Sequence, residues 1–156
     1  MKEFSGKSRH LYLILLAAAL LYLPAISACP SIDDLYALNL ARFRSFNLLT
    51  ASYTFYRPLE LLINSVNYSF FELRPYFSIS VNIAIYLLNI CLVFYLARVI
   101  LRSRAAALLA ALLYALHPAN SSSIIQIDAI SQNSASSLAL ASFCLLLVSR
   151  RIIGRV

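Results

Sequence analysis

Four stretches of the chain carry no charged side chain: 11–32, 75–97, 105–127 and 129–149. Each offers the roughly 20 apolar residues with which a helix crosses about 30 Å of hydrocarbon. They are rich in Leu and Ala and show no period-two alternation, so strands fit poorly, and a transmembrane barrel needs many more segments. The pattern predicts an all-α membrane protein of about four transmembrane helices, near 11–28, 78–101, 104–117 and 133–149, forming one membrane region over 1–156. Pro24 is expected to kink the first helix. Proline disfavours helix in the residue before it, so the third is expected to end near Leu116, ahead of His117-Pro118. Residues 105–116 are short for a full crossing, which requires Arg102 and Arg104 to snorkel at their end of that helix. The segment 121–132 is expected to dip back toward the bilayer. The fourth helix opens on Ser134, Ala135, Ser136 and Ser137, small residues that let helix backbones approach closely and suit a protein partner.

The stretch 29–77 between the first two spans reads differently. Residues 30–77 hold 11 of the 19 aromatic residues, a type that concentrates where one end of a ring is apolar and the other wet. Leu59, Leu62, Ile63, Val66, Phe70 and Leu73 recur at steps of three and four, one face of a helix. Glu60, Asn64 and Asn67 fall elsewhere on it. This predicts an amphipathic helix lying on the membrane surface, with a shorter one over 33–46.

Composition narrows the class. The chain is 62% hydrophobic and 12% charged, half the charge of an ordinary soluble domain at about 25%; a free cytosolic enzyme is excluded. With only two Gly a glycine-rich phosphate loop is excluded too. Three cysteines make no disulfide framework.

The net charge of +7 is distributed in blocks. Lys2, Lys7 and Arg9, then Arg98, Arg102 and Arg104, then Arg150, Arg151 and Arg155 flank the apolar runs, whereas acids and bases balance between Cys29 and Arg74. Under the positive-inside rule both termini and the 102–104 turn are cytoplasmic and 29–77 is an outer loop. The expected location is a bacterial inner (plasma) membrane, with the lipid bilayer as the first partner and no nucleic acid. An alternative for the first run is a lipoprotein signal, with Ile26-Ser27-Ala28 ahead of Cys29.

Few residues are equipped for chemistry. Asp33 or Asp34, just beyond the first span, suits a general base on an acceptor hydroxyl or an oxygen ligand to a divalent cation. The bland reading is a capping box, because Ser31 and Asp34 have its spacing. Pro58 suits the first turn of the surface helix, which leaves Arg57 at a helix N-terminus. A cation kept at that positive end points to an anion between them, such as phosphate; the alternative is an interfacial Arg meeting headgroups. His117 and Asp128 bracket the second outer loop. An acid at membrane depth costs about 2.5–3.5 kcal/mol and usually faces a cavity or partner, a cost that vanishes if the loop is solvated.

The order of these features resembles the N-terminal part of the polytopic GT-C glycosyltransferases, in the protein O-mannosyltransferase-like branch that often carries tetratricopeptide repeats. The stretches that carry the resemblance are Asp33-Asp34, Phe55-Tyr56-Arg57-Pro58-Leu59 and the run from Ala110 to Leu116-His117-Pro118, within about 33–147. The resemblance implies transfer of a sugar from a polyprenyl-phosphate donor to an acceptor hydroxyl on the outer face. Asp33 or Asp34 would be catalytic, Arg57 would hold the donor phosphate, and His117 and Asp128 would line the substrate site. Two positions depart from the family pattern: Asn120, Ser121 and Ser122 stand where relatives carry an acid after the His, and Gln132-Asn133 where they carry an Arg. Family members have many more spans, so the chain is expected to be part of a longer transferase or to work with a second membrane half. The alternative is a small multi-pass interaction or assembly protein without catalysis.

Overall fold

A computed structural model of the chain describes residues 9–27, 30–35, 38–39, 57–72 and 74–153, with side chains through Ser149. Cys29 and most of the expected 33–46 helix lie outside the described residues. Those described are helical, with no strand among them. Helix α1 is Arg9–Tyr22 and tightens into a 3-10 turn at Leu23–Ser27. Pro24 causes the change, since it has no N–H to continue the α-helical ladder. Helix α2 is Pro58–Phe71, α3 Pro75–Leu101, α4 Arg104–Leu116, α5 Asn120–Ile125 and α6 Ile130–Ile153. Both α2 and α3 carry Pro in their first turn, where the missing N–H is harmless. Arg9–Ser27, Pro75–Leu101 and Ile130–Ser149 are long and apolar enough to cross a membrane. Helix α4, with 13 residues, is about 20 Å long at 1.5 Å per residue, short of a hydrocarbon core of about 30 Å.

Helix α3 is the axis of the bundle. Tyr86, fully buried about 16 Å along it from Pro75, meets Tyr22 of α1 edge-on at 5.5 Å and stacks on Tyr114 of α4 at 5.7 Å. Helix α6 runs parallel to α3: Asn133 bonds Asn82, Ser137 bonds Asn89 and Cys144 Sγ reaches the Leu92 carbonyl. Helices α1 and α4 run the other way. Arg9, Arg98, Arg102 and Arg104 therefore share one end of the bundle, while the 30–35 turn, α2 and the 126–129 turn share the other.

Helix α4 reaches α3 closely because Ala107, Ala111 and Ala115, one turn apart on one face, are buried and small. Ser103 begins α4 by accepting the Ala106 N–H at 3.3 Å, an N-cap. The helix ends at Leu116, as the His-Pro pair dictates, and the orphaned carbonyls find donors. Tyr86 Oη donates toward the carbonyls of Tyr114 and Ala115 (3.2 and 2.9 Å), and Asn120 Nδ2 donates to Tyr114 at 2.8 Å. Just beyond, Asn82 Nδ2 of α3 meets the carbonyls of Ser123, Ile124 and Gln126 at 2.7–3.2 Å. The irregular stretch 117–129 thus lies along the first half of α3, with Ile124 and Ile127 fully buried. Buried backbone outside a long helix needs its polar groups met by protein, and α3 supplies the partners.

Candidate functional site

The end of the bundle away from the arginine turn gathers groups from three distant parts of the sequence. Ser31 opens a helical turn over 32–35, and its backbone N–H donates to Asp34 Oδ2 at 2.9 Å while Asp34 N–H donates to Ser31 Oγ at 3.1 Å. This reciprocal pair is the capping box expected from the spacing. The other carboxylate oxygen, Oδ1, accepts the backbone N–H groups of Ile127 and Asp128, at 2.5 and 3.2 Å. Asp34 is therefore buried (4% exposed) and ties the segment after α1 to the turn before α6. Its neighbour Asp33 is exposed, because consecutive side chains on a helical turn point about 100° apart.

Arg57 sits at the N-terminus of α2, as its place before Pro58 requires. Its Nη1 donates to the Asp128 carbonyl at 3.0 Å and to Glu60 Oε2 at 3.2 Å, and lies 3.5 Å from Asp128 Oδ2. The sequence called for an anion beside this cation; in the structure Glu60 and Asp128 supply it. Glu60 is buried at 7% exposure. Burial pushes its carboxyl up to about 7, the nearby Asp128 adding to the rise, against the pull of Arg57 and a hydrogen bond with Ser131. Asp34, Arg57 and Asp128 thus meet around one turn, whereas His117 stands apart. It is exposed at the end of α4, where Nδ1 accepts the Ala119 N–H at 3.2 Å. Among the described residues no group of three or more His, Cys, Asp or Glu is arranged to hold a metal ion.

Sequence reasoning missed Glu60 as a member of this cluster, together with a neutral polar seam beneath it. Ser78 Oγ donates to Asn64 Oδ1 at 3.0 Å and accepts Asn67 Nδ2 at 2.9 Å; Asn67 also reaches the Arg74 carbonyl at 3.0 Å. Deeper, Asn133 Nδ2 donates to Asn82 Oδ1 at 2.7 Å and to the Ser123 carbonyl at 3.0 Å. Ser137 Oγ donates to Asn89 Oδ1 at 2.6 Å, and Asn89 Nδ2 to the Asn133 carbonyl at 3.2 Å. The signal was present: Ser78, Asn82, Tyr86 and Asn89 fall on one face of an otherwise apolar helix. Of the residues read as a docking face, Ser137 bonds Asn89 of α3 in the same chain and Ser134 is buried, while Ala135 and Ser136 are exposed. Comparison with known proteins gives no match to this chain, whether among family models, curated proteins or solved structures.

Proposed function

We propose that the chain forms part of a GT-C-like membrane glycosyltransferase that uses a polyprenyl-phosphate sugar. In this reading α4 completes a fourth span with its arginines snorkelling. The arginine-bearing end and both termini face the cytoplasm of a bacterial plasma membrane, and the opposite end faces outward. The observation that carries the reading is the convergence of the 31–34 turn, Arg57 and Asp128 at that end, with Asp33 exposed beside them.

The roles divide by exposure. Asp34 is committed to the capping box with Ser31 and to two backbone donors, so it positions the turn. Asp33 is the carboxylate open to a substrate and takes the proton of the acceptor hydroxyl as the new glycosidic bond forms. The bond from the sugar to the phosphate breaks, and Arg57 stabilises the departing polyprenyl phosphate. Arg57 serves best when Glu60 is protonated, because the cluster then carries one negative charge fewer beside the guanidinium. Asp128 holds the guanidinium in place, and His117, exposed at the end of α4, is left open to substrate. Among the described residues no group of three or more His, Cys, Asp or Glu is placed to hold a divalent cation.

The test is binding of tritiated polyprenyl phosphate to the full chain in nanodiscs at pH 6. Saturable binding is expected, weakened tenfold or more by Arg57→Gln and unchanged by Asp33→Asn. Polyprenyl-phosphate sugar in place of the phosphate should release its sugar slowly with the native sequence and not with Asp33→Asn. A second reading, a multi-pass interaction protein without catalysis, draws on the employment of Asp34 and the Asn/Ser seam in internal contacts. No saturable binding by the native sequence would leave that reading standing.

A further inference from the structure

Helix α2 is built inside out. The side it turns to the bundle carries Glu60, Asn64, Ser65 and Asn67 with only Leu61 among the fully buried apolar residues. Leu59, Leu62 and Phe70 face outward, Phe70 at 76% exposure. An outward apolar face suits a helix lying against lipid, and it leaves an inner interface that is mostly polar, with Leu61 and the partly buried Ile63 as its apolar contacts. Its polar fixings include Arg57 to Asp128 and Glu60 to Ser131 at one end, Asn64 and Asn67 to Ser78 in the middle, and the connection to α3 at the other end. The middle fixing is incomplete. Asn64 Nδ2 and Asn67 Oδ1 are buried with no hydrogen-bond partner among the described residues, a cost of about 1–3 kcal/mol each that water would remove on opening.

The connection to α3 has the form of a pivot. Glu72 ends α2 in the left-handed region, at φ 53°. Arg74 N–H returns to the Phe71 carbonyl at 3.0 Å, and Phe71 stacks on Phe77 with ring centroids 4.3 Å apart. We propose that α2 is a hinged flap, pivoting at Glu72, whose free end is latched by the Arg57–Glu60–Asp128 cluster and released when Glu60 gives up its proton. Among the described residues the charged groups that face Glu60 are Arg57 from the flap itself and Asp128 from the turn before α6. Neither α3 nor the described part of α6 brings another charge, since α3 has none before Arg98 and α6 none before Arg150.

The direction follows from linkage. A carboxyl that titrates near 7 when docked and near 4.5 when exposed binds its proton more tightly in the docked state. Docking is strongest below pH 4.5 and weakens as pH rises through 7, by about two orders of magnitude in the docked-to-open ratio at the limit. Opening would uncover Ser78 and the amides of Asn64 and Asn67 to the aqueous face.

The test is a distance measurement by pulsed electron spin resonance on the full chain in nanodiscs. Nitroxides are placed at Leu62→Cys on the flap and Leu145→Cys on α6, in a background of Cys29→Ser, Cys91→Ala and Cys144→Ala. One short distance is expected at pH 5, and a second, longer population at pH 8.5, its share raised at least tenfold. Glu60→Gln should hold the short distance at both pH values. Asp128→Asn, which removes the like charge facing Glu60, should move the transition toward acid. The same distribution at both pH values in the native sequence, or a pH response that survives Glu60→Gln, would overturn the proposal.

Discussion

Helices α4 and α2 both pack on α3, and they do so by opposite means. Helix α4 presents Ala107, Ala111 and Ala115, one turn apart and buried. Its contact is close and chiefly apolar, with the Tyr86 hydroxyl bonded across it to the carbonyls of Tyr114 and Ala115. Helix α2 presents a carboxyl, two amides and a hydroxyl, and it is fastened by charge and hydrogen bonds. Inside a bilayer the hydrophobic effect does not drive helices together, so tightness comes from small residues and hydrogen bonds. The α4 contact uses the first of these and the α2 contact the second. The α4 region is therefore the rigid half of the molecule and the α2 region the adjustable one.

The largest effect should come from the rigid half. Ala111→Leu forces a branched side chain between α3 and α4 where the alanine is wholly buried. A loss of about 3 kcal/mol or more is expected, the upper part of the range for overpacking. Unfolding by denaturing detergent in bicelles would measure it, and the loss should be equal at pH 5 and pH 8. A loss below about 1 kcal/mol would mean that the alanine contact is not what fastens α4.

Glu60→Gln addresses the adjustable half. Because the docked carboxyl titrates at about 7 rather than 4.5, its folded pKa is raised, and the native sequence should lose stability as pH rises from 4.5 through 7. The change is about 2–3 kcal/mol at most. Glutamine has no charge to bury, so the variant should be nearly as stable as the native sequence at pH 5 and more stable at pH 8. A native stability that does not fall between those values would contradict the buried acid as the source of the weakness.

The two halves were unequally legible in the sequence. Uncharged runs of helical length gave the long helices, and His117-Pro118 gave the end of α4, because hydrophobicity and proline act locally. The pairing of Ser31 with Asp34 was readable for the same reason. What the sequence hid was every contact across the fold. Asp34 looked like a cap or a base, and nothing in its neighbours indicates that Ile127 and Asp128, more than 90 residues further along the chain, donate to it. Asn64 and Asn67 were legible only as lying off the apolar face of a surface helix, and the structure buries them toward the bundle. The Ser78, Asn82, Tyr86 and Asn89 stripe was visible as spacing alone, and it passed unread because hydropathy averages over it.

Asp33 and Asp34 give a sharper contrast at smaller magnitude. Asp34→Asn places an amide N–H2 where a carboxylate oxygen accepted donors, so at least one buried N–H among Ser31, Ile127 and Asp128 loses its acceptor. A loss of about 1–3 kcal/mol is expected. Asp33→Asn changes an exposed side chain and should stay within about 0.5 kcal/mol. Equal losses in the two variants, by the same detergent unfolding, would erase the division between positioning and exposed carboxylates.

The smallest effect tests the two turns that flank α3. Glu72 and Arg102 both hold the left-handed region, at φ 53° and 52°, and each is strained there by its Cβ, by about 1 kcal/mol. Glycine removes that strain at either position but also widens the backbone's freedom. At Arg102, between two helices joined by the alanine contact, the strain term should win and Arg102→Gly should gain about 0.5–1 kcal/mol. At Glu72, freedom at the pivot favours the open flap. Glu72→Gly should therefore gain less than Arg102→Gly and should speed amide hydrogen exchange along α2, with α4 unaffected. Faster exchange in α4 after Arg102→Gly, or none in α2 after Glu72→Gly, would show that the two turns do not divide a rigid half from a hinged one.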